Sequence, residues 1–155
     1  MKPVKLIPIT KEEMESWPSE PLVKLQNPFI DRRGSIQPLV DLMMQSAVMI
    51  GSKAGSLRAN HYHKTDWHYC YVISGQIQYF YKNVNSNKMP EMITVKEGNM
   101  VFTPPLVEHC MKFPEDTIFL TLSRNPRDQE TYEADVVRVN LIDPSDSISW
   151  KPNEE

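Results

Sequence analysis

The chain has 155 residues, a formal net charge of −3 and 40% hydrophobic residues; this length suits one domain, and the composition is that of a globular protein. Its basic residues form no cluster beyond Arg32 and Arg33, which argues against a nucleic-acid partner, and no apolar run approaches the roughly 20 residues of a membrane span. The N-terminus lacks the apolar stretch of a secretory signal, and two cysteines are too few for a disulfide scaffold, so we expect a cytoplasmic protein.

Residues 1–33 are predicted to form an N-terminal extension outside the main domain. Thr10 and Glu13 have the spacing of a capping box, which predicts a short helix that ends before Pro18. Because proline fixes φ and lacks an N–H group, the proline-rich remainder is predicted to be extended chain.

From Gly34 onward, short runs of β-branched and aromatic residues alternate with turn residues, a pattern typical of β-strands. The stretch Leu39–Met49 fits either a strand or a helix, and the polar segment Lys82–Pro90 predicts a hairpin loop. The predicted strands are Gly34–Val40, Ala47–Ile50, Trp67–Ile73, Gln76–Tyr81, Met92–Val95, Met100–Thr103, Thr117–Leu122 and Val136–Ile142.

Three glycines mark the junctions between these strands. Gly55, Gly75 and Gly98 fall where a turn requires the positive φ that glycine adopts without strain. Many short strands separated by turns predict an all-β sandwich or closed barrel for residues 34–143. The polar residues 144–155 are predicted to form a C-terminal tail that frays.

The four histidines of the chain are His61, His63, His68 and His109, and three of them fall within eight residues. His61 and His63 are two residues apart, so on a strand both side chains point to the same face. His68 opens the strand Trp67–Ile73. If that strand lies beside the first two histidines, three imidazoles converge on one side of a sheet, and His109 completes the set from a third strand.

Neutral imidazole is a good ligand for several divalent transition metals. We therefore predict one bound metal ion, with zinc, iron, manganese and nickel as the open choices. The alternative is that the histidines only hydrogen-bond to their neighbours in the core or at the surface.

The spacing around these histidines resembles the first motif of the cupin superfamily. That motif runs Gly, five residues, His-x-His, three or four residues, Glu, six residues, Gly. Gly55, His61, His63 and Gly75 match it at every interval, and His68 stands at the usual glutamate position.

The second cupin motif is matched in part. Gly98, Pro104 and His109 occupy the expected positions, whereas Leu106 replaces a glycine and Phe113 an asparagine. The resemblance implies an all-β, RmlC-like jelly-roll barrel with a metal near the interior end.

A looser resemblance extends to the cupins of nucleotide-sugar and polysaccharide biosynthesis. It rests on three short sequence segments, Asp31–Ser35, Leu57–Lys64 and Glu130–Glu133. The nucleotide-sugar 3,4-ketoisomerases of this group use a histidine and a tyrosine for proton transfer and need no metal. A complete set of four histidines favours metal-dependent chemistry instead.

Four neutral histidines would leave a bound ion its full positive charge, which favours a small anionic ligand. Arg58 is the candidate residue for binding a phosphate or carboxylate of that ligand. It lies three residues before His61 and therefore faces away from the histidines, unless a bend at Ala59 and Asn60 reverses its direction. The alternative is a solvated or interface arginine.

These features predict a metal-dependent isomerase or epimerase of a nucleotide-sugar or sugar acid. A metal-dependent dioxygenase and a non-catalytic sugar-binding module remain open alternatives. A homodimer is also expected, because Trp67, Tyr69 and Tyr71 would give the sheet an apolar outer face that a second copy could cover.

Overall fold

The structure is a computed structural model and describes residues 4–151. Strands make up most of its regular structure. In chain order the elements are α1 (Lys11–Ser16), β1 (Phe29–Asp31), β2 (Gly34–Ile36), β3 (Ser46–Ser52), β4 (Leu57–His63), β5 (His68–Ser74), β6 (Gln76–Asn83), β7 (Glu91–Lys96), β8 (Met100–Thr103), β9 (Val107–Lys112), β10 (Thr117–Ser123), α2 (Gln129–Asp135) and β11 (Val136–Arg138).

Two antiparallel sheets form the body of the domain. The four-stranded sheet has the order β3-β10-β5-β8, the five-stranded sheet has the order β11-β4-β9-β6-β7, and β1 and β2 form a separate hairpin. The predicted all-β class and jelly-roll barrel are confirmed. The boundary expected between residues 33 and 34 falls inside the turn of the β1–β2 hairpin.

The main core lies between the two sheets and draws side chains from both. It contains Val72 and Phe119 from the four-stranded sheet and Ile77 and Tyr79 from the five-stranded sheet, all at most 2% exposed. Phe113, which replaces the asparagine of the second motif, stacks on Phe119 with ring centroids 5.6 Å apart. That departure from the motif therefore serves core packing.

A second apolar cluster covers the outer face of the four-stranded sheet. Trp67 and Tyr69 point to this face as predicted, but they are only 3% and 5% exposed, and Tyr71 is part of the same cluster. The homodimer was predicted from an exposed apolar face, and that premise is wrong, because the chain covers the face itself. The homodimer remains a prediction, but an exposed apolar face no longer supports it. The covering side chains are Ile9, Trp17, Val23, Leu25, Leu39, Val40 and Met44.

The N-terminal extension is also fixed by polar contacts. Val23 N–H donates to the Met100 carbonyl at 2.9 Å, which adds a short bridge at the edge of β8. Buried Arg124 donates to the Ile7 carbonyl at 2.9 Å and forms an ion pair with Glu13 of α1 at 3.1 Å. Half of the predicted capping box is present: Glu13 N–H donates to the Thr10 hydroxyl at 3.1 Å, but the Glu13 carboxylate accepts hydrogen bonds from Arg124 and Trp67.

The predicted turn glycines adopt the expected backbone. Gly55, Gly75 and Gly98 have φ of +88°, +89° and +81°. At Gly75 a β-carbon would also lie 2.4 Å from the Thr117 hydroxyl oxygen, so only glycine fits between β5 and β6. The loop predicted at Lys82–Pro90 is present between β6 and β7, but β6 runs to Asn83, so the loop begins two residues later than predicted.

Other local predictions need correction. α2 lies in a segment for which no helix was predicted, and residues 39–45 of the ambiguous Leu39–Met49 stretch are irregular before β3 begins. The C-terminal segment was predicted to fray, but Ile148 pairs with Ser56, directly before β4, and is held in place by this bridge. Residues 152–155 lie outside the described residues. Neither helix found among residues 4–151 has the length and apolarity required to cross a membrane.

Candidate metal-binding site

The four histidines come from three strands in two sheets. His61 and His63 lie on β4, and His109 lies opposite His61 on the neighbouring strand β9. His68 begins β5, which belongs to the other sheet. The expectation that β5 lies beside β4 is therefore wrong: the imidazoles converge across the interior of the barrel and not along one sheet.

The imidazole rings are close together and largely buried. The ring centroid of His61 lies 4.7 Å from those of His63 and His109, and the ring centroid of His68 lies 5.4 Å from those of His63 and His109. The four side chains are at most 9% exposed. The four histidines that the sequence analysis grouped into one site are therefore the four that lie together in the structure.

The atoms that could bind a metal ion fall into two triads that share His63. One triad is His61, His63 and His109, and the other is His63, Asp66 and His68; within each, the ligand atoms lie within 4.8 Å of one another. Asp66 was not among the predicted residues. The site therefore offers five donors, one of them a carboxylate.

Hydrogen bonds fix which nitrogen of two rings faces the cavity. His63 Nδ1 lies 3.1 Å from Oδ2 of Asp135, and His109 Nδ1 lies 3.0 Å from the Val107 carbonyl oxygen. Both partners are acceptors, so each Nδ1 carries a proton, and in the neutral ring the lone pair lies on Nε2. A carboxylate behind a histidine is a common way to orient a metal ligand.

Burial favours the neutral form of three of the four imidazoles. It lowers the pKa of His61 and His68 well below the ordinary value and the pKa of His109 to about 3, and the neighbouring histidines lower each of them further. A neutral imidazole is the form that binds metal. The residues present therefore fit a divalent transition metal in charge state, tautomer and spacing.

Asp135 is the main support of this arrangement. Burial would raise the pKa of its carboxyl group, but hydrogen bonds from His63 and Thr65 outweigh burial and lower it. Thr65 donates to Oδ1 through its backbone N–H at 2.8 Å and its hydroxyl at 2.6 Å, and the backbone N–H of Asp66 donates to Oδ2 at 3.2 Å. The carboxylate thus ties the loop after β4 to the end of α2.

Arg58 reaches the histidine cavity because β4 is bent. Ala59 and Asn60 have φ of +70° and +60°, and the register between β4 and β9 shifts at this point. The bend that would reverse the direction of Arg58 is present, and Arg58 lines the same cavity as the histidines. Its guanidinium donates to the Ser52 hydroxyl at 2.7 Å and to the Gly51 carbonyl at 2.9 Å.

The cavity has a volume of about 150 Å³ and continues into a larger groove of about 790 Å³. Arg58, Arg127 and Tyr132 line both spaces. The Arg127 guanidinium lies 4.1 Å from the centre of the Tyr132 ring, and the centroid of that ring lies 5.9 Å from that of His63. These residues form the passage from the histidines to the groove.

The outer wall of the groove is the C-terminal segment. Ile148 exchanges two backbone hydrogen bonds with the start of β4, and the Asn60 side chain bonds both the N–H and the carbonyl of Ile142. Trp150 is 67% exposed, and the Arg138 guanidinium lies 5.6 Å from the centre of its ring. The groove is thus lined by three arginines and an exposed aromatic ring.

The sequence analysis missed Asp66, Asp135 and Arg127, and it included Tyr132 only as part of the short segment Glu130–Glu133. Asp66 lies between two histidines of the first motif, so its position was a usable signal. The other three residues lie after β10, and no spacing relative to the motifs indicated that they return to the site.

Leu106 explains how the second motif works without its glycine. It has φ of +61°, the left-handed conformation that glycine would supply, and its N–H donates to the His63 carbonyl at 2.8 Å. For a residue with a β-carbon this conformation costs about 1–2 kcal/mol. The turn before His109 is therefore retained at some cost in stability.

No protein-family model matches the sequence, and no curated protein matches it either. Several solved structures resemble the fold. The dTDP-4-dehydrorhamnose 3,5-epimerase from Sulfolobus tokodaii has a TM-score of 0.66 at 18% identity, covering 84% of this chain and 91% of its own. The WlaRB TDP-quinovose 3,4-ketoisomerase from Campylobacter jejuni has a TM-score of 0.64 at 19% identity, covering 76% and 90%.

A third similar structure is the QdtA 3,4-ketoisomerase from Thermoanaerobacterium thermosaccharolyticum in complex with TDP. It has a TM-score of 0.62 at 22% identity and covers 76% of this chain and 85% of its own. At these identities the likeness establishes the fold, an RmlC-like jelly roll of the cupin type. It agrees with the resemblance inferred from the two histidine motifs.

Proposed function

We propose that the protein is a metal-dependent enzyme that isomerises or epimerises an anionic sugar derivative, with nucleotide-sugars as the first class to test and sugar acids as the second. His61, His63, His68 and His109 would hold one divalent ion. The observation that carries this proposal is the convergence of four buried imidazoles on one cavity that opens into a groove. When bound, the ion supplies positive charge that stabilises an oxygen on which negative charge develops.

The dimensions of the two spaces support an elongated ligand. A volume of about 150 Å³ accommodates a group about the size of benzene, which suits one sugar ring near the histidines. The groove of about 790 Å³ has room for a larger second moiety. Arg58 and Arg127 at the junction are suited to bind phosphate oxygens between the two moieties.

Tyr132 is the side chain suited to move a proton. Its ring lies at the cavity mouth, with its centroid 6.2 Å from that of His61. Arg127 over the ring holds it in place. In the proposed reaction the Tyr132 hydroxyl exchanges a proton with the sugar carbon or oxygen that faces the histidines.

The likeness to solved structures gives a reason to begin with nucleotide-sugars. The three similar structures are an epimerase and two ketoisomerases of nucleotide-linked sugars, and one of them holds TDP. This chain differs in offering a full set of histidines, so we propose that its chemistry depends on the ion.

A thermal-shift experiment tests the proposal. Metal-loaded protein and chelator-stripped protein are each heated with a series of nucleotide-sugars, sugar acids and neutral sugars. We expect an anionic compound to raise the melting temperature of metal-loaded protein more than that of stripped protein. Arg58→Ala should reduce this shift while leaving the metal content unchanged.

Two results would contradict the proposal. Equal shifts with and without metal would assign the ion a structural role and favour a non-catalytic binding module. The absence of any shift with sugar derivatives, together with oxygen uptake on small acids or diketones, would favour the dioxygenase alternative. Lys53→Ala, an exposed cation that lines neither space, is the matched control for Arg58→Ala.

A further inference from the structure

Asp66 is a buried carboxylate that faces the histidine cavity. Its residue is only 8% exposed, and it lines the same space as the four histidines. It comes from the loop between β4 and β5, two residues before His68. It does not occupy the position at which the first motif normally carries its glutamate.

Only one oxygen of this carboxylate has a partner among residues 4–151. Oδ1 accepts a hydrogen bond from the Asn125 backbone N–H at 2.9 Å. Oδ2 accepts no hydrogen bond from a described residue, and no described lysine, arginine or histidine nitrogen lies within 4.0 Å of the carboxylate. A buried carboxylate without a cationic partner is costly, and such groups in proteins are paired or bind a metal.

The geometry places Asp66 within reach of the proposed ion. A carboxylate oxygen of Asp66 and a nitrogen each of His63 and His68 lie within 4.8 Å of one another. Two ligands on opposite sides of one ion, each about 2.1 Å from it, are about 4.2 Å apart, so only a small adjustment brings all three into one coordination sphere.

We propose that the carboxylate of Asp66 is a fifth protein ligand of the ion, beside His63 and His68. This inference rests on the proposed metal site. The carboxylate supplies the negative charge that is lost where His68 stands in place of glutamate. The divalent ion and its donors then carry a net charge of +1 instead of +2, and an octahedral ion has one open position instead of two.

The test measures metal affinity and coordination in parallel. The affinity for Zn²⁺ is measured by competition with a chromophoric chelator, and the visible absorption of Co²⁺-loaded protein reports the coordination number. For Asp66→Asn we expect at least about a tenfold loss of affinity, because even outer-sphere partners contribute that much. We also expect stronger Co²⁺ absorption, because fewer ligands give more intense bands.

Asp66→Glu and Asp41→Asn are the comparison variants. Glutamate keeps the carboxylate and should recover part of the affinity, whereas Asp41 is exposed and lines neither cavity nor groove, so its change should have no effect. Because Asp66→Asn can impair folding, an anomalous-diffraction structure of Co²⁺-loaded wild-type protein provides a second measurement. An Asp66 oxygen about 2.0–2.2 Å from the ion supports the proposal.

The outcomes separate this inference from the proposed function. Wild-type protein that binds no metal overturns both. Wild-type protein that binds metal with an affinity and a Co²⁺ spectrum unchanged in Asp66→Asn overturns only the role of Asp66. A weaker affinity with an unchanged spectrum also overturns it, since Asp66 would then act on the histidines without touching the ion.

Discussion

The histidine-bearing strands and the segment that follows β10 contribute to the site in different ways. β4, β5 and β9 supply the imidazoles at spacings that can be read directly from the sequence. The later segment supplies Asp135 behind His63, Arg127 and Tyr132 at the mouth, and Trp150 on the groove wall. Ligand atoms are thus specified locally, whereas their orientation and access depend on contacts formed only in the folded chain.

The histidine cavity and the groove beside it also differ in their charged side chains. The histidine cavity holds the imidazole rings and the Asp66 carboxylate, Arg58 and Arg127 line both spaces, and Arg138 lines the groove alone. One guanidinium, that of Arg138, is neutralised by Glu133, which its Nη1 and Nη2 contact at 2.9 and 2.7 Å. The remaining positive charge lies where an anionic ligand would pass to reach the histidines.

The largest effect should come from the later segment. Tyr132→Phe removes the hydroxyl proposed to move a proton, and general acid–base groups typically contribute about 10²–10⁴-fold. We expect kcat to fall within that range on the sugar derivative identified by thermal shift, with metal content unchanged. Tyr62→Phe, which lies between the two β4 histidines but lines neither space, is the control. Unchanged turnover in Tyr132→Phe would remove this residue from the chemistry.

Acid should destabilise the metal-free protein through the histidine strands. The pKa values of His61, His68 and His109 are lowered on folding, so below their ordinary value of 6.5 the unfolded chain binds more protons and the free energy of unfolding falls. The three histidines thus add three protons to the unfolded chain. Asp66 offsets one of them by binding a proton in the folded chain, because burial raises its pKa from 3.8 to about 6. For each further proton that the unfolded chain binds, the free energy of unfolding falls by about 1.4 kcal/mol per pH unit of acidification.

Urea unfolding of chelator-treated protein at about pH 7 and about pH 5.5 measures this effect. The midpoint should be lower at the acidic pH, and bound metal should not reduce the difference, because it keeps the imidazoles of the folded chain unprotonated while those of the unfolded chain still take up protons. An equal midpoint at both pH values would show that the imidazoles are not kept neutral by burial.

Asp135→Asn tests whether the later segment orients the metal ligands. The amide can offer its NH₂ group to His63 Nδ1 and so favour the wrong tautomer, with the proton on Nε2. We expect metal affinity to fall about 10–100-fold, as for other partners of metal-bound histidines. Asp143→Asn, on the exposed C-terminal segment, is the control. An unchanged affinity would mean that the strands orient the histidines unaided.

The smallest effect concerns Leu106. Because this residue is 54% exposed and has φ of +61°, Leu106→Gly removes backbone strain and loses little buried surface. Glycine also gives the unfolded chain more conformational freedom, which offsets part of this gain. The free energy of unfolding should therefore rise by about 0.5–1 kcal/mol. Leu106→Ala keeps the strain and is the comparison in urea unfolding. A glycine variant less stable than the alanine variant would contradict this account.

The sequence predicted the barrel well because strand residues and turn glycines are local signals. Gly75 is confined by both its φ and its contact with Thr117, and such a position can be recognised from its place between two strands. The four histidines followed from the parity of a strand and from the motif spacing. The correct side for Arg58 required a bend at Ala59 and Asn60, which the sequence allowed but did not require.

The missed features depend on distant contacts. Asp135 is 72 residues from the histidine that it orients, and no periodicity relates the two. The outer face at Trp67 was expected to meet a second copy, because its own cover lies more than 20 residues earlier, in the N-terminal extension and in the irregular residues 39–45, where the sequence has little pattern. The tail was expected to fray because its polar composition does not reveal the bridge between Ile148 and Ser56.

The most direct test of the central claim is elemental analysis of purified wild-type protein and of a variant with alanine at positions 61, 63, 68 and 109. The account predicts one equivalent of a divalent transition metal per chain in the wild type after dialysis, with His63→Ala alone losing most of it and the fourfold variant losing all of it. Stoichiometric metal in the fourfold variant, or a wild type that takes up no zinc, iron, manganese or nickel when these are supplied, would contradict the account.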